Sequence, residues 1–176
     1  MKFNRYLLEA DGIEEPTQEM KRYYNQRTYE HIAYVNKGAN KLSKAFPEMR
    51  SELMNRAKAH DASKFQKHEY IPYVWMSWKR KKGNESFEYP SKDIEEAVKK
   101  ATEHHVKSNR HHPESHANPD KMSVLDIAEM VCDWHAFHYE FGDDTKKWAD
   151  DNIGKRWKFG RMTTKLIYKY IEVLMK

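Results

Sequence analysis

Apolar positions recur every three or four residues along almost the whole chain, the spacing of one face of an α-helix. After Pro16, Thr17 can cap a long helix running to about Ala45. Met20, Tyr24, His31, Tyr34, Val35, Gly38 and Leu42 mark its stripe. Phe46-Pro47 breaks the pattern, and a second helix is predicted from about Glu48 to His60. Leu53, Ala57 and then His60 or Asp61 lie on its inner face. Residues 64–80, with Tyr70, Tyr73, Trp75 and Trp78, are predicted helical, although Pro72 leaves the local geometry open. The stretch from Lys79 to Asn84 reads as a basic turn. Ser91 caps a helix with Ile94, Val98, Ala101 and His105 on one face, and Ala97, Ala101 and His104 form a competing face. Residues 110–121 (RHHPESHANPDK) hold two prolines and no periodicity, which predicts a loop of defined shape. Ser123 with Asp126 makes a capping-box-like start for a helix to about Phe141, ended by Gly142. Short helices near 143–152 and 161–175 complete an all-α fold of six or seven helices around one core. Residues 1–176 are expected to form a single domain, with 1–16 as a loosely attached N-terminal arm.

Composition narrows the class without changing that picture. A chain of 176 residues with 39% hydrophobic content can bury a sizeable core, and six Gly with six Pro are too few for a turn-rich all-β fold. Lys and Arg number 32 against 27 Asp and Glu, so the net charge is only +5, with both signs spread along the chain. A nucleic-acid coat or basic tail is therefore not indicated. Cys132 stands alone, which excludes a disulfide scaffold and Cys-based zinc fingers and fits a reducing compartment. The chain has no apolar run of about 18 residues, and its first residues carry charges throughout. A cytoplasmic protein without a membrane span is the expectation.

The chain carries ten histidines, seven of them between His104 and His138. Several ligand-type residues fall on faces that should point inward. His31 lies on the stripe of the first helix, His60-Asp61 ends the second, and His105 continues the Ile94 face. His111 and His112 follow six and seven residues later. The helix at 123–141 is apolar nearly all round except for a narrow arc of carboxylates, Asp126, Glu129 and Asp133, spaced by three and four. Of these, Asp126 reads first as part of the helix cap. Desolvating an unpaired carboxylate costs several kcal/mol, so this arc needs a cation or a set of histidines. Imidazole and carboxylate suit one or two divalent transition-metal ions, Mn²⁺, Fe²⁺, Co²⁺, Ni²⁺ or Zn²⁺. Such an ion lowers the pKa of its water and supplies hydroxide at neutral pH.

His31, His60-Asp61 within HDASK, and Asp133 on a later helix resemble the H…HD…D signature of the HD-domain metal-dependent phosphohydrolases. His104-His105 and His111-His112-Pro113-Glu114 resemble the added histidines of its two-metal branch. HDASKF, NRHHPE and EMVCDW are similar to stretches of small HD-like proteins of phages and some bacteria. The resemblance covers roughly residues 28–140. It departs from the family at Ser63, where Gly is common, and in lacking the GYP element, so a cyclic-dinucleotide substrate is not implied. The resemblance implies an HD-type helical bundle with a first metal on His31, His60, Asp61 and Asp133, Asp61 bridging, and a second on His105 and His111. Lys64 would steady a phosphate oxygen or the bridging hydroxide, Arg110 and His112 would neutralise the phosphate, and Glu129 would act as a base or behind a ligand histidine. The implied function is hydrolysis of a nucleotide or other small phosphate ester, in the host cytoplasm if phage-encoded, by a protein that can form homo-oligomers. A non-enzymatic helical module that holds metal or binds nucleic acid is the alternative, with the basic 79–82 run and its neighbouring Trp and Tyr residues as its surface. Oxidation at a di-iron centre is a third reading.

Overall fold

The computed structural model describes residues 13–176. These residues form seven α-helices and four short 3-10 turns, with no strand among them, so the fold is all-α as the periodicity predicts. The helices are α1 (Gln18–Ala45), α2 (Arg50–Lys58), α3 (Lys67–Lys82), α4 (Lys92–Ser108), α5 (Val124–Phe141), α6 (Thr145–Asn152) and α7 (Arg161–Met175). They belong to two compact units, neither continuous in sequence. One takes the chain through Thr28 and Asp61–Ser108; the other takes Tyr29–His60 and Asn109–Lys176.

In the first unit, the start of α1 packs with α3 and α4 around Met20, Tyr24, Tyr73, Val74, Trp75, Trp78, Ile94 and Ala101. Most of the expected N-terminal arm lies outside the described residues. In the part that is described, Ile13 packs against this core, Pro16 is buried and Trp75 Nε1 donates to the Glu14 carbonyl at 3.0 Å. One correction concerns Lys79–Lys82, which continue α3 as its last helical turn rather than forming a basic turn or loop. Lys and Arg are good helix formers, and cations at a helix C-terminus meet its partial negative charge. Lys81 also sits over the Trp78 and Tyr23 rings, at 4.4 and 4.5 Å from their centroids. Gly83, at φ +90°, ends the helix in a conformation that L side chains rarely adopt.

The second unit packs the rest of α1 with α2, α5, α6 and α7 around a larger core that includes Val35, Leu42, Leu53, Met130, Ile167, Ile171 and Leu174. Gly38 lets α1 approach α5 closely. A Cβ added there would lie 3.4 Å from both Cβ and Sγ of Cys132, which is itself fully buried. The predicted capping box is present: Ser123 Oγ accepts from Asp126 N–H at 3.1 Å, and Asp126 Oδ2 accepts from Ser123 N–H at 2.9 Å. The loop at 110–121 takes its shape from two proline-initiated 3-10 turns, Pro113–Ser115 and Pro119–Lys121.

Candidate metal centre

Each unit carries its own cluster of acids and imidazoles. In the second unit, α5 supplies the carboxylates. The apolar residues around its circumference bury the helix, so Asp126, Glu129 and Asp133 go inside with it, at 0%, 5% and 9% exposure. The partners of Asp126 and Glu129 include guanidinium groups. Arg56 on α2 donates from Nη2 to Asp126 and from Nε to Glu129, both at 2.7 Å. Arg110 donates from Nη2 to Asp126 Oδ2 at 2.9 Å and from Nε to Oδ1 at 3.2 Å. Burial pushes the Asp126 carboxyl up, but hydrogen bonds from Arg110, Ser123 and Arg56 outweigh it and hold the group down at about 2.

Asp133 is met instead by imidazoles. His31 Nε2 lies 3.0 Å from Asp133 Oδ1, and His60 Nε2 lies 3.6 Å from the same oxygen. Burial again opposes the charge, and these two histidines draw the Asp133 carboxyl well below its ordinary range. Glu129 Oε1 faces His60 Nδ1 at 3.1 Å and His111 Nδ1 at 3.4 Å. The other nitrogen of His31 lies 3.8 Å from Glu140 Oε2. The rings of His60 and His111 are 4.3 Å apart between centroids, and His112 packs against His111 at 4.2 Å. Asn36 Nδ2 donates to the Ala57 carbonyl at 2.9 Å, tying the end of α2 to α1 and so placing His60.

In the first unit, Asp61 begins a 3-10 turn, Ala62–Phe65, and is the non-glycine residue with positive φ, 58°, among the described residues. This left-handed conformation costs most L residues about 1–2 kcal/mol, and Asp is among those that tolerate it. Asp61 pairs with Lys64 Nζ and lies 3.1 Å from His105 Nε2. Tyr24 Oη donates to the Lys64 carbonyl at 3.0 Å, holding the turn to α1. The opposite nitrogen of His105 faces Glu69 Oε2 at 3.0 Å, and Ser63 Oγ donates to that oxygen at 2.9 Å. A histidine with a carboxylate at each nitrogen donates to both only as imidazolium. Burial opposes that charge, but Asp61 and Glu69 prevail and raise the His105 pKa.

The sequence-predicted residues therefore fall into two groups. His31, His60, His111 and Asp133 come together with Glu129, and Arg110 and His112 border them, all in one unit. Asp61, Lys64 and His105 come together in the other. Consecutive His60 and Asp61 belong one to each. Between the two competing faces of α4, His105 is the buried histidine, at 3%, whereas the His104 side chain is 41% exposed.

Sequence reasoning missed two residues of the clusters. Arg56 lies among polar residues and gave no signal of its burial partners. Glu69 is fully buried and accepts from Ser63 while facing His104 and His105. Its signal was available, because Glu69 shares a helical face with Pro72 and Tyr73.

The fold and these clusters define an all-α protein with buried groups of His, Asp and Glu that could hold a metal ion. Among them, His60, His111 and Glu129 each offer one ligand atom within 4.8 Å of the others. Residues 20–173 match DUF5662, a family of unknown function, and the chain belongs to that family. No curated protein and no solved structure matches it. Among the described residues, no helix is long and apolar enough to cross a membrane.

Proposed function

We propose that the protein is a cytoplasmic metal-dependent phosphohydrolase of the HD type, acting on a nucleotide or another small phosphate ester. The observation that carries this reading is the environment of Asp133, a buried carboxylate met by the imidazoles of His31 and His60. Two ligand atoms about 2.1 Å from one ion stand about 3.0 Å apart at a right angle and about 3.4 Å apart at the tetrahedral angle. Separations of 3.0 Å and 3.6 Å suit those edges, and 3.6 Å is too long for a shared proton. The donor set fits a late first-row divalent ion.

His31, His60 and Asp133 would hold one ion, and Asp61 with His105 offers a second carboxylate–imidazole pair. A divalent cation supplies Lewis acidity and acidifies bound water, the chemistry that hydrolyses phosphate esters. The chain's own residues orient the ligands. Glu129, accepting from His60 Nδ1–H, turns His60 Nε2 toward Asp133, and Glu69, facing His105 Nδ1, turns His105 Nε2 toward Asp61. In one unit Lys64 Nζ, held on Asp61, is a cation that would bind a phosphate oxygen; in the other, the Arg110 side chain, 66% exposed, is a cation of the same kind.

The test is phosphate release from a panel of nucleoside mono-, di-, tri- and cyclic phosphates with Mn²⁺, Co²⁺ or Ni²⁺, beside elemental analysis of the purified protein. Turnover is expected with at least one substrate, and Asp133→Ala and Asp61→Ala should each lower it about 10³-fold or more while unfolding cooperatively. Undiminished turnover in both variants, or a wild-type protein that neither holds metal nor gains activity from it, would sink the proposal.

A further inference from the structure

A third group of ligand-type side chains lies apart from Asp61, Lys64 and His105, on the outer side of Glu69. His68 and Glu69 occupy the first turn of α3, and His104 sits near the end of α4. Each offers one ligand atom within 4.8 Å of the others. His104 Nδ1 lies 2.7 Å from Glu69 Oε1, and His68 Nε2 lies 3.9 Å from that same oxygen. The His68 Nε2 atom is buried and has no hydrogen-bond partner among the described residues, although the side chain as a whole is 34% exposed. The two rings stand edge to face with centroids 4.2 Å apart.

An ordinary ion pair accounts for Glu69 with His104 but leaves His68 unexplained. Its buried nitrogen is turned toward an oxygen that it does not reach, beside a second imidazole that would repel it were both protonated. A cation among the three atoms resolves this arrangement. Ligands of one tetrahedral ion stand about 3.4 Å apart, and the separations of 2.7 and 3.9 Å lie on either side of that value. The far nitrogen of His104 meets Ser108 Oγ at 3.2 Å, one turn along α4, the kind of partner that fixes the orientation of a ligating histidine.

We propose that His68 Nε2, His104 Nδ1 and Glu69 Oε1 form a separate binding site for a late first-row divalent cation such as Zn²⁺. Two imidazoles and one carboxylate make a three-ligand set of the kind that leaves a fourth position to water. The site is distinct from the proposed catalytic ligands, and it shares Glu69 with them, because the other oxygen of that carboxylate faces His105. It does not depend on the phosphohydrolase reading.

The test is calorimetric titration of the chelator-stripped full chain with Zn²⁺, repeated with Co²⁺ to read its visible absorption. Wild type is expected to bind an equivalent that His68→Ala and His104→Ala each remove and His31→Ala leaves in place. Ser108→Ala should weaken that equivalent about tenfold. Both histidine side chains reach solvent, so these variants should keep the wild-type melting transition. Unchanged stoichiometry and affinity in His68→Ala and His104→Ala would overturn the inference, as would a wild type without this equivalent. An equivalent lost in His31→Ala but kept in His68→Ala belongs to the proposed catalytic site, and a wild type that binds that equivalent alone would overturn the outer one.

Discussion

Arg56 joins two buried carboxylates, so replacing it with methionine, which keeps much of the apolar stem, measures what their ionisation costs once that pairing is gone. Its guanidinium donates one 2.7 Å bond to Asp126 and another to Glu129, and both acceptors are almost fully buried. A hydrogen bond to a charged group contributes about 1.5–3 kcal/mol, and removing one partner of a buried pair costs about 3–5 kcal/mol. Asp126 keeps Arg110 and Ser123, and Glu129 keeps His60 and His111, so Arg56→Met should cost about 3 kcal/mol at pH 7, near the lower end. For a chain of this size, each kcal/mol shifts Tm by about 2–4 °C, so Tm should fall by about 6–12 °C. The pH dependence gives the reasoning a second check. Asp126 is held at about 2 in the folded protein, below the ordinary 3.8. Its depressed pKa therefore stabilises the fold above pH 4, and that contribution disappears as pH falls toward 2. Glu129 is depressed as well: burial opposes its charge, but His111 and His60 outweigh it. Urea unfolding followed by circular dichroism should show a penalty for Arg56→Met that is full at pH 7 and clearly smaller at pH 3. A variant within about 0.5 kcal/mol of wild type at pH 7, or a penalty equal at the two pH values, would refute the argument.

At Gly38, where a Cβ would meet Cys132 at 3.4 Å, the larger Gly38→Val substitution should overpack the α1–α5 contact and cost about 1–3 kcal/mol in the same urea assay. At Asp61, with φ 58°, Asp61→Asn keeps a residue that tolerates the left-handed region, whereas Asp61→Val places a β-branched residue there. The valine variant should be less stable than the asparagine variant by roughly 1–2 kcal/mol, and equal melting curves for the two would show that the backbone relaxes.

The helices were legible because their signal is local. Along α1 the buried positions Met20, Tyr24, Thr28, His31, Val35, Ala39 and Leu42 step by four and three residues, the spacing by which the stripe was read. Thr28 and Ala39 escaped notice because a small or hydroxyl side chain carries little apolar signal. Thr28 settles its hydroxyl locally, donating to the Tyr24 carbonyl at 2.8 Å. The carboxylate arc of α5 was legible for the opposite reason, since three acids stand out on an otherwise apolar helix. What the pattern cannot carry is the identity of their partners. Arg56 reaches Asp126 across 70 positions of chain, and on α2 it looks like any solvated arginine. Lys79–Lys82 failed for want of apolar neighbours: four basic residues resemble a loop until Trp78 and Tyr23 provide rings for Lys81 to cover.

Glu69 and Glu129 show why the buried acids are better explained by orientation than by stability. Each lies on a helix of its own unit and divides its two oxygens among several donors. Glu69 faces His104 and His105 and accepts from Ser63. Glu129 faces His60 and His111 and accepts from Arg56. Replacing such buried ion pairs with apolar residues of similar volume is often neutral or stabilising, so a helical fold has no need of them. Their common effect is to hold one nitrogen of an imidazole and so set where the other nitrogen points. With Nδ1–H of His60 given to Glu129, Nε2 is left to face Asp133. With Nδ1 of His105 turned to Glu69, Nε2 is left to face Asp61. In both units a glutamate behind the ring aims a histidine nitrogen at an aspartate oxygen, the arrangement by which proteins prepare imidazole and carboxylate to share a cation.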